Sequence, residues 1–374
     1  MLVLDIGLFI VASAATALAW NAWSLLFFRF LVGVGIGADY PISVAYITEN
    51  IPARIRGRMV IGAFSFQSIG ALLGAIVGWA TIWVFQQTQP DLAIGYAWRW
   101  MLGVGVVLSL LVGGLRLLFL LESPSYYLAK GKYAEASEAA SQLLEREIVL
   151  KPVVEAEDEQ IDELEQKSLG YRDLFSAQYR RQTALAAVPW FLQDVATYGI
   201  GIFTPTIIAA LAFSNEGNLL SQEMAAARGA AVVNVFLVLG FLGAVALVDR
   251  VGRIPLQVLG FIGMAVGLVL LSFAGGSARI GLLFAGFIVF NLMMNLGPNS
   301  TTFLLSGELF PPAIRASGAG LAGGIAKLGA VLGALGLPVL QESFGLGIVL
   351  RSLALLCLLA AIITYALRTA SQEA

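Results

Sequence analysis

Runs of about 20 apolar residues recur along almost the whole chain, and this one feature leaves few folds open. A helix of that length crosses the hydrocarbon core of a bilayer, and only closed hydrogen-bonding structures are tolerated there. Ten spans are expected, with soft boundaries: about 2–20, 24–48, 60–84, 99–121, 182–211, 228–248, 255–275, 280–305, 314–337 and 344–367. The expected class is all-α, a polytopic membrane protein. Charged residues make up 12% of the 374 residues, half the share of a soluble domain. The lone Cys357 excludes a disulfide or thiolate metal framework, and no cofactor is expected. With no histidine, any proton carried at neutral pH must ride on a carboxylate. No nucleophile–base constellation is visible, so an enzyme is not expected, and the net charge of −2 gives no reason to expect a nucleic-acid partner.

Between the fourth and fifth spans lies a polar stretch, 122–181, with 13 acidic and 8 basic residues. Its segment Tyr133–Leu150 alternates alanine, leucine and charge at helical spacing, which predicts one or two surface helices. Three units follow: 1–121 with four spans, the 122–181 linker, and 182–374 with six spans. Lysine and arginine then set the orientation. With the linker inside the cell, 16 basic residues fall on that side and 4 on the other. The linker and both termini are therefore expected in the cytoplasm, and the chain in the cell membrane.

Glu49-Asn-Ile-Pro52-Ala-Arg-Ile55-Arg56 repeats as Glu308-Leu-Phe-Pro311-Pro-Ala-Ile314-Arg315, an offset of 259 residues. Such repeats mark transporters built from two related halves with a site at their interface. The offset places a partner for Asp249-Arg250-Val-Gly252-Arg253 before Met1, so the expectation is a twelve-helix design whose first two helices are missing from this chain.

Charges at membrane depth are candidates for function, because each costs roughly 3 kcal/mol unless it faces protein or water. Trp190, Asp194 and Tyr198 are spaced i, i+4, i+8 and stack along one helix face. Lys327, mid-span in 314–337, needs an anion: Asp194, a bound solute, or each in turn. The offset maps Lys327 to Ser68, beside Gln67. Asp39 lies about 15 residues into its span, roughly 22 Å deep, beside Pro41 and a glycine-rich face. Gln67 and the three aromatics Tyr40, Trp190 and Tyr198 read equally as packing, and Asn299 as a cap for backbone freed by Pro298.

Asp249-Arg-Val-Gly-Arg253, Arg29 with Gly33-Val-Gly35-Ile-Gly37, Glu49…Arg56-Gly57-Arg58 and Leu121-Glu-Ser-Pro124…Gly131-Lys132 together resemble the major facilitator superfamily. Within it, Gly37-Ala-Asp-Tyr-Pro41, Trp190-Phe-Leu-Gln-Asp194…Tyr198-Gly199 and Asn295-Leu-Gly-Pro-Asn-Ser-Thr-Thr-Phe303 are similar to the phosphate:proton symporters, with the sugar porters as sister group. The resemblance implies the two-bundle fold and a substrate site of Tyr40, Gln67, Trp190, Asp194, Tyr198, Asn299 and Lys327. It implies proton coupling through Asp39 and Asp194. Arg29, Glu49, Arg56, Asp249, Arg250, Gly252, Arg253, Glu308 and Arg315 would then form gating motifs, with Glu308 and Arg315 read as an acid–base pair at a cytoplasmic mouth. The implied partners are a small anion (phosphate), protons and the lipid bilayer, for a monomer working by alternating access. A sugar, an organic or aromatic acid, or a sensor role stays open as an alternative.

Overall fold

The computed structural model describes residues 2–51, 53–119, 127, 131–144, 146, 148–150, 170–201, 204, 207–208, 219–274 and 280–371. All regular structure among them is helical. Helix α1 is Leu2–Ala17, α2 Ala22–Asn50, α3 Ala53–Thr88 and α4 Pro90–Phe119. A surface helix α5, Tyr133–Leu144, follows in the linker. Then come α6 Arg180–Gly201, α7 Leu219–Val251, α8 Arg253–Ser272, α9 Ile280–Leu296, α10 Pro298–Glu308, α11 Pro312–Phe344 and α12 Leu346–Ala366.

The order of contacts separates an early group, where α1 packs on α2 and α4 and α3 on α4, from a later group. In the later group α11 packs on α6, α8 on α9 and α12, and α7 on α9. The two groups meet where α3 runs against α7 and α2 against α11. An apolar cluster crosses that boundary: Val60 and Ile61 of α3 share it with Trp190, Phe241, Phe303 and Phe310.

Lipid tails are as apolar as leucine, so these helices associate by close packing rather than by exclusion of water. The α6–α11 crossing makes the point. A Cβ added at Gly333 would collide with the carbonyl oxygen of Val195 and lie 2.9 Å from the amide nitrogen of Gly199. One added at Gly329 would strike the carbonyl of Phe191. Only glycine lets the two backbones come this near. Helices α8 and α9 meet the same way: a Cβ at Gly267 would lie 2.6 Å from Phe290 N, and one at Gly260 would lie 2.7 Å from Gly297 Cα.

Seven helices among the described residues are long and apolar enough to cross a membrane, and shorter apolar helices cover Ile6–Ala17 and Ala22–Gly37. The expected span at 182–211 is a different case. Its described part, α6, is polar, with Gln182, Thr183, Gln193 and Asp194 all buried. It is sheltered by protein rather than facing lipid. The span expected at 280–305 stands as one of the seven, Ile280–Glu308, and is interrupted at Gly297, which divides it into α9 and α10. Proline at the first position of α10 supplies no N–H to the ladder, which ends α9 at this point. Buried hydroxyls occupy the carbonyls there: Ser300 donates to Asn295 O at 2.5 Å, and Thr301 to Gly297 O at 2.9 Å.

Candidate functional site

Helix α6 carries Trp190, Asp194 and Tyr198 on one face, as their spacing requires, and the glycine crossing brings α11 against that face. Lys327 of α11 donates to Asp194 Oδ2 at 2.9 Å and to the Tyr198 hydroxyl at 3.2 Å. Its ammonium lies 4.8 Å from the centre of the Tyr198 ring, within cation–π range. The two charges are not equivalent. The Lys327 side chain is 45% exposed and that of Asp194 only 3%. The carboxylate is thus enclosed by the protein, while the Lys327 side chain borders open space.

That space is a cavity of about 330 Å³ between the two groups of helices. Of the seven residues expected at a substrate site, Gln67, Trp190, Asp194, Tyr198, Asn299 and Lys327 all line it. The side chain of Tyr40, like that of Glu49, lies outside the described residues. Ser68 lines the cavity too, so the repeat offset that pairs it with Lys327 joins positions of α3 and α11 that face one another. Asp39 is elsewhere. It lines a second cavity of about 330 Å³ with Ile6, Ser43 and Ala63, which adjoins the first through Phe64 and Gln67. A third chamber, about 360 Å³, shares Trp190, Tyr198, Phe303 and Lys327 with the first and is walled by Gly33, Gly37, Gly320 and Gly324.

A chain of amides in the same wall went unrecognised in the sequence. Gln193 donates through Nε2 to Thr197 Oγ1 and Asn299 Oδ1, both at 3.3 Å. Asn299 in turn donates to Asn295 Oδ1 at 2.6 Å, and Thr302 to Gln193 Oε1 at 3.4 Å. Gln193 and Asn295 are each 1% exposed. The available signal was the run Asn291, Asn295, Asn299, polar at every fourth position of an apolar stretch. Asn299 is more than a cap for a proline-freed carbonyl: it links α9, α10 and α6.

At the far end of α3 and α7 a second polar cluster forms. Arg58 pairs with Asp249, and Asp249 lies 3.8 Å from Arg253. Arg253 grips Glu308 with Nε and Nη2, both at 3.1 Å. The partner of Glu308 is therefore Arg253 and not, as its sequence neighbourhood suggested, Arg315, which donates to Phe310 O at 3.2 Å. Arg58, quoted in the Arg56-Gly57-Arg58 motif but not counted among the gating residues, is a member of this cluster. Gly252 adopts φ +91°, a left-handed turn that favours glycine and lets α7 lead straight into α8. Gly57 faces the cluster; a Cβ there would lie 3.2 Å from Arg253 Nη2. Arg56 has a buried Nε without a hydrogen-bond partner among the described residues. Arg29 and Arg250 are exposed on α2 and α7.

A polytopic bundle with paired charges facing a cavity between its two groups of helices defines a membrane transporter of the major facilitator type. The family model described as "Sugar (and other) transporter" matches residues 1–371, and the chain belongs to that family, one of transporters and not of enzymes. It is 30% identical over 365 residues to the "Repressible high-affinity phosphate permease" of Neurospora crassa, covering 88% of this chain and 63% of that protein. It is 34% identical over 336 residues to the rice (Oryza sativa subsp. japonica) "Probable inorganic phosphate transporter 1-10", covering 84% of this chain and 60% of that one. The chain thus spans less than two thirds of the length of both. In fold it is similar to the xylose transporter XylE from E. coli in a partially occluded inward-open conformation, with TM-score 0.72, 19% identity, and coverage of 98% of this chain and 79% of that one.

Proposed function

We propose that the chain carries out proton-coupled symport of inorganic phosphate by alternating access across the cell membrane, with the linker and both termini cytoplasmic. The observation that carries the reading is the Lys327 bridge to Asp194 and Tyr198 at the edge of the cavity. The relatives named as phosphate carriers point to the same solute.

Lys327 and Asp194 neutralise one another. An incoming phosphate competes with Asp194 for the ammonium and is repelled by the carboxylate. Protonation of Asp194 removes the repulsion and turns its oxygen into a donor toward a phosphate oxygen. Each of the two ligands therefore raises the affinity for the other, which is the coupling that symport needs. Gln67 and the Tyr198 hydroxyl supply further polar contacts at the cavity wall. Asp39, one chamber away, would receive the proton on its way to the cytoplasm. Rocking of the two halves would break and remake the Arg58–Asp249 pair between α3 and α7.

The adjoining glycine-walled chamber supports a second reading, an organic or aromatic acid whose carboxylate meets Lys327 while its apolar part fills that space. Uptake of labelled phosphate into proteoliposomes under an imposed pH gradient, with arsenate and carboxylates as competitors, separates the two. In Asp194→Asn, uphill accumulation is expected to vanish while downhill exchange persists. Undiminished uphill uptake by that variant overturns the mechanism.

A further inference from the structure

Among the described residues, polar contacts tie α3 to α7 at three levels. Arg58 pairs with Asp249 at one end. Near the middle, Asn234 donates through Nδ2 to Ala71 O at 3.0 Å. Toward the other end the guanidinium of Arg228 lies 5.4 Å from the centre of the Trp79 ring, within cation–π range. The partners rise in number on α3 as they fall on α7, so the two helices run antiparallel in one register. Arg58 and Trp79 are 21 residues apart, and so are Arg228 and Asp249. At 1.5 Å per residue that is about 31 Å, close to the thickness of a bilayer's hydrocarbon core. The ion pair and the cation–π pair therefore sit at opposite membrane faces. Helix α3 ends at Thr88, where the chain turns into α4, and α4 ends toward the linker, so Trp79 lies at the face away from the linker. Ala71 and Asn234 line the central cavity, which is enclosed between the two ties.

We infer that Arg228 and Trp79 form the outer latch of this contact, the counterpart of the Arg58–Asp249 pair. Each latch closes the cavity at its own face, and rocking parts one only while the other holds. The inference rests on the alternating-access reading. The two latches differ in chemistry. The inner one joins opposite charges, 48% and 22% exposed, and Arg253 shares its carboxylate. The outer one sets the exposed Arg228 on a half-buried ring, so parting it leaves no carboxylate unpaired. Trp79 Nε1 is buried and has no hydrogen-bond partner among the described residues. The closed latch thus carries the desolvation cost of that N–H, and water relieves it when the helices separate. Such a latch is weak, as a gate that opens in every cycle requires. An exposed cation–π contact biases an equilibrium roughly two- to five-fold.

The test places pairs of spin labels on the full chain in lipid vesicles, in a Cys357→Ala background. Gln87→Cys with Glu223→Cys reports the outer separation of α3 and α7, and Ile55→Cys with Val251→Cys the inner one; all four positions are exposed. Pulsed electron spin resonance gives the populations of near and far separations at each end. Trp79→Leu is expected to raise the far population at the outer end roughly two- to five-fold and to lower it at the inner end. Arg58→Ala should do the reverse. Trp79→Tyr keeps a π face and should stay close to the unaltered chain, and Arg228→Gln added to Trp79→Leu should change nothing further. Unchanged populations in Trp79→Leu beside a shift in Arg58→Ala overturn the latch and leave alternating access standing. A Trp79→Tyr variant that behaves as Trp79→Leu does the same. One fixed separation at each end in every variant, Arg58→Ala included, overturns the alternating-access reading and the latch with it. The readout is independent of the transported solute.

Discussion

Replacing Gly333 by alanine tests whether backbone contact between α6 and α11 sets the geometry of the charged pair. The new Cβ would lie 2.9 Å from Gly199 N and 3.0 Å from the carbonyl carbon of Val195, and closer still to Val195 O. Ordinary contact begins near 3.4 Å, so the helices must part by at least 0.5 Å at this level, and neither obstacle is a side chain that can swing aside. Overpacking of this kind costs about 1–3 kcal/mol. Alanine is also the better helix former by up to about 1 kcal/mol, which partly masks the loss. The matched control is Gly336→Ala, one turn further along α11, where an added Cβ meets nothing within 4 Å. Helix propensity cancels between the two variants, so their difference in unfolding free energy isolates the cost of contact, about 1–3 kcal/mol. Denaturant unfolding in detergent micelles measures it, with proteoliposome uptake as the functional readout. Lys327 and Asp194 sit on these two helices 2.9 Å apart, so uptake should fall in Gly333→Ala and not in Gly336→Ala. Equal stability of the two variants would refute the reasoning.

Three further outcomes follow from the same geometry. Lys327→Met leaves the buried Asp194 without its cation and should destabilise by about 3 kcal/mol, while Asp194→Asn/Lys327→Met recovers most of that in the same unfolding assay, because neither charge remains. Gln193→Leu removes the donor to Asn299 Oδ1 while Thr302 keeps its bond to Pro298 O, and should cost about 1–3 kcal/mol in stability and raise the half-saturating solute concentration in uptake assays. Arg58→Ala removes a half-exposed ion pair and should change stability by less than about 1 kcal/mol. It should nevertheless speed maleimide labelling of a cysteine placed at the buried Ser306, in the wall of the third chamber, because the pair holds α3 to α7.

Much of this architecture was legible because bilayer thickness leaves a long apolar run few alternatives. The i, i+4, i+8 spacing of Trp190, Asp194 and Tyr198 and the repeat offset behind Gln67, Ser68 and Lys327 both survive folding unchanged, and all six side chains line one cavity. What stayed hidden depends on distant residues. Gln193 and Asn299 are 106 positions apart, and an amide in a span looks the same whether it faces a cavity or a neighbour. The break after Leu296 was obscured because Gly297 and Pro298 interrupt an otherwise continuous apolar stretch, and proline alone does not end a membrane helix. Glu308 was assigned to Arg315 by nearness along the chain, yet the bend at Gly252 delivers Arg253 first.

The contact between α8 and α9 has a consequence for how this protein can vary. Gly260 meets Gly297, and Gly267 meets Gly286 and Phe290, with main chain against main chain, so at these two points the seam has nothing that could be trimmed or re-angled to absorb a change; Gly263, between them, meets the side chain of Met293 instead. Two rods joined this way tolerate no graded adjustment: a single added methyl either wedges them apart or is rejected. A saturation scan of α8 should therefore come out two-faced, with Gly260 and Gly267 refusing every larger residue and the opposite edge, at Leu259, Ile262 and Val266, accepting nearly any apolar one.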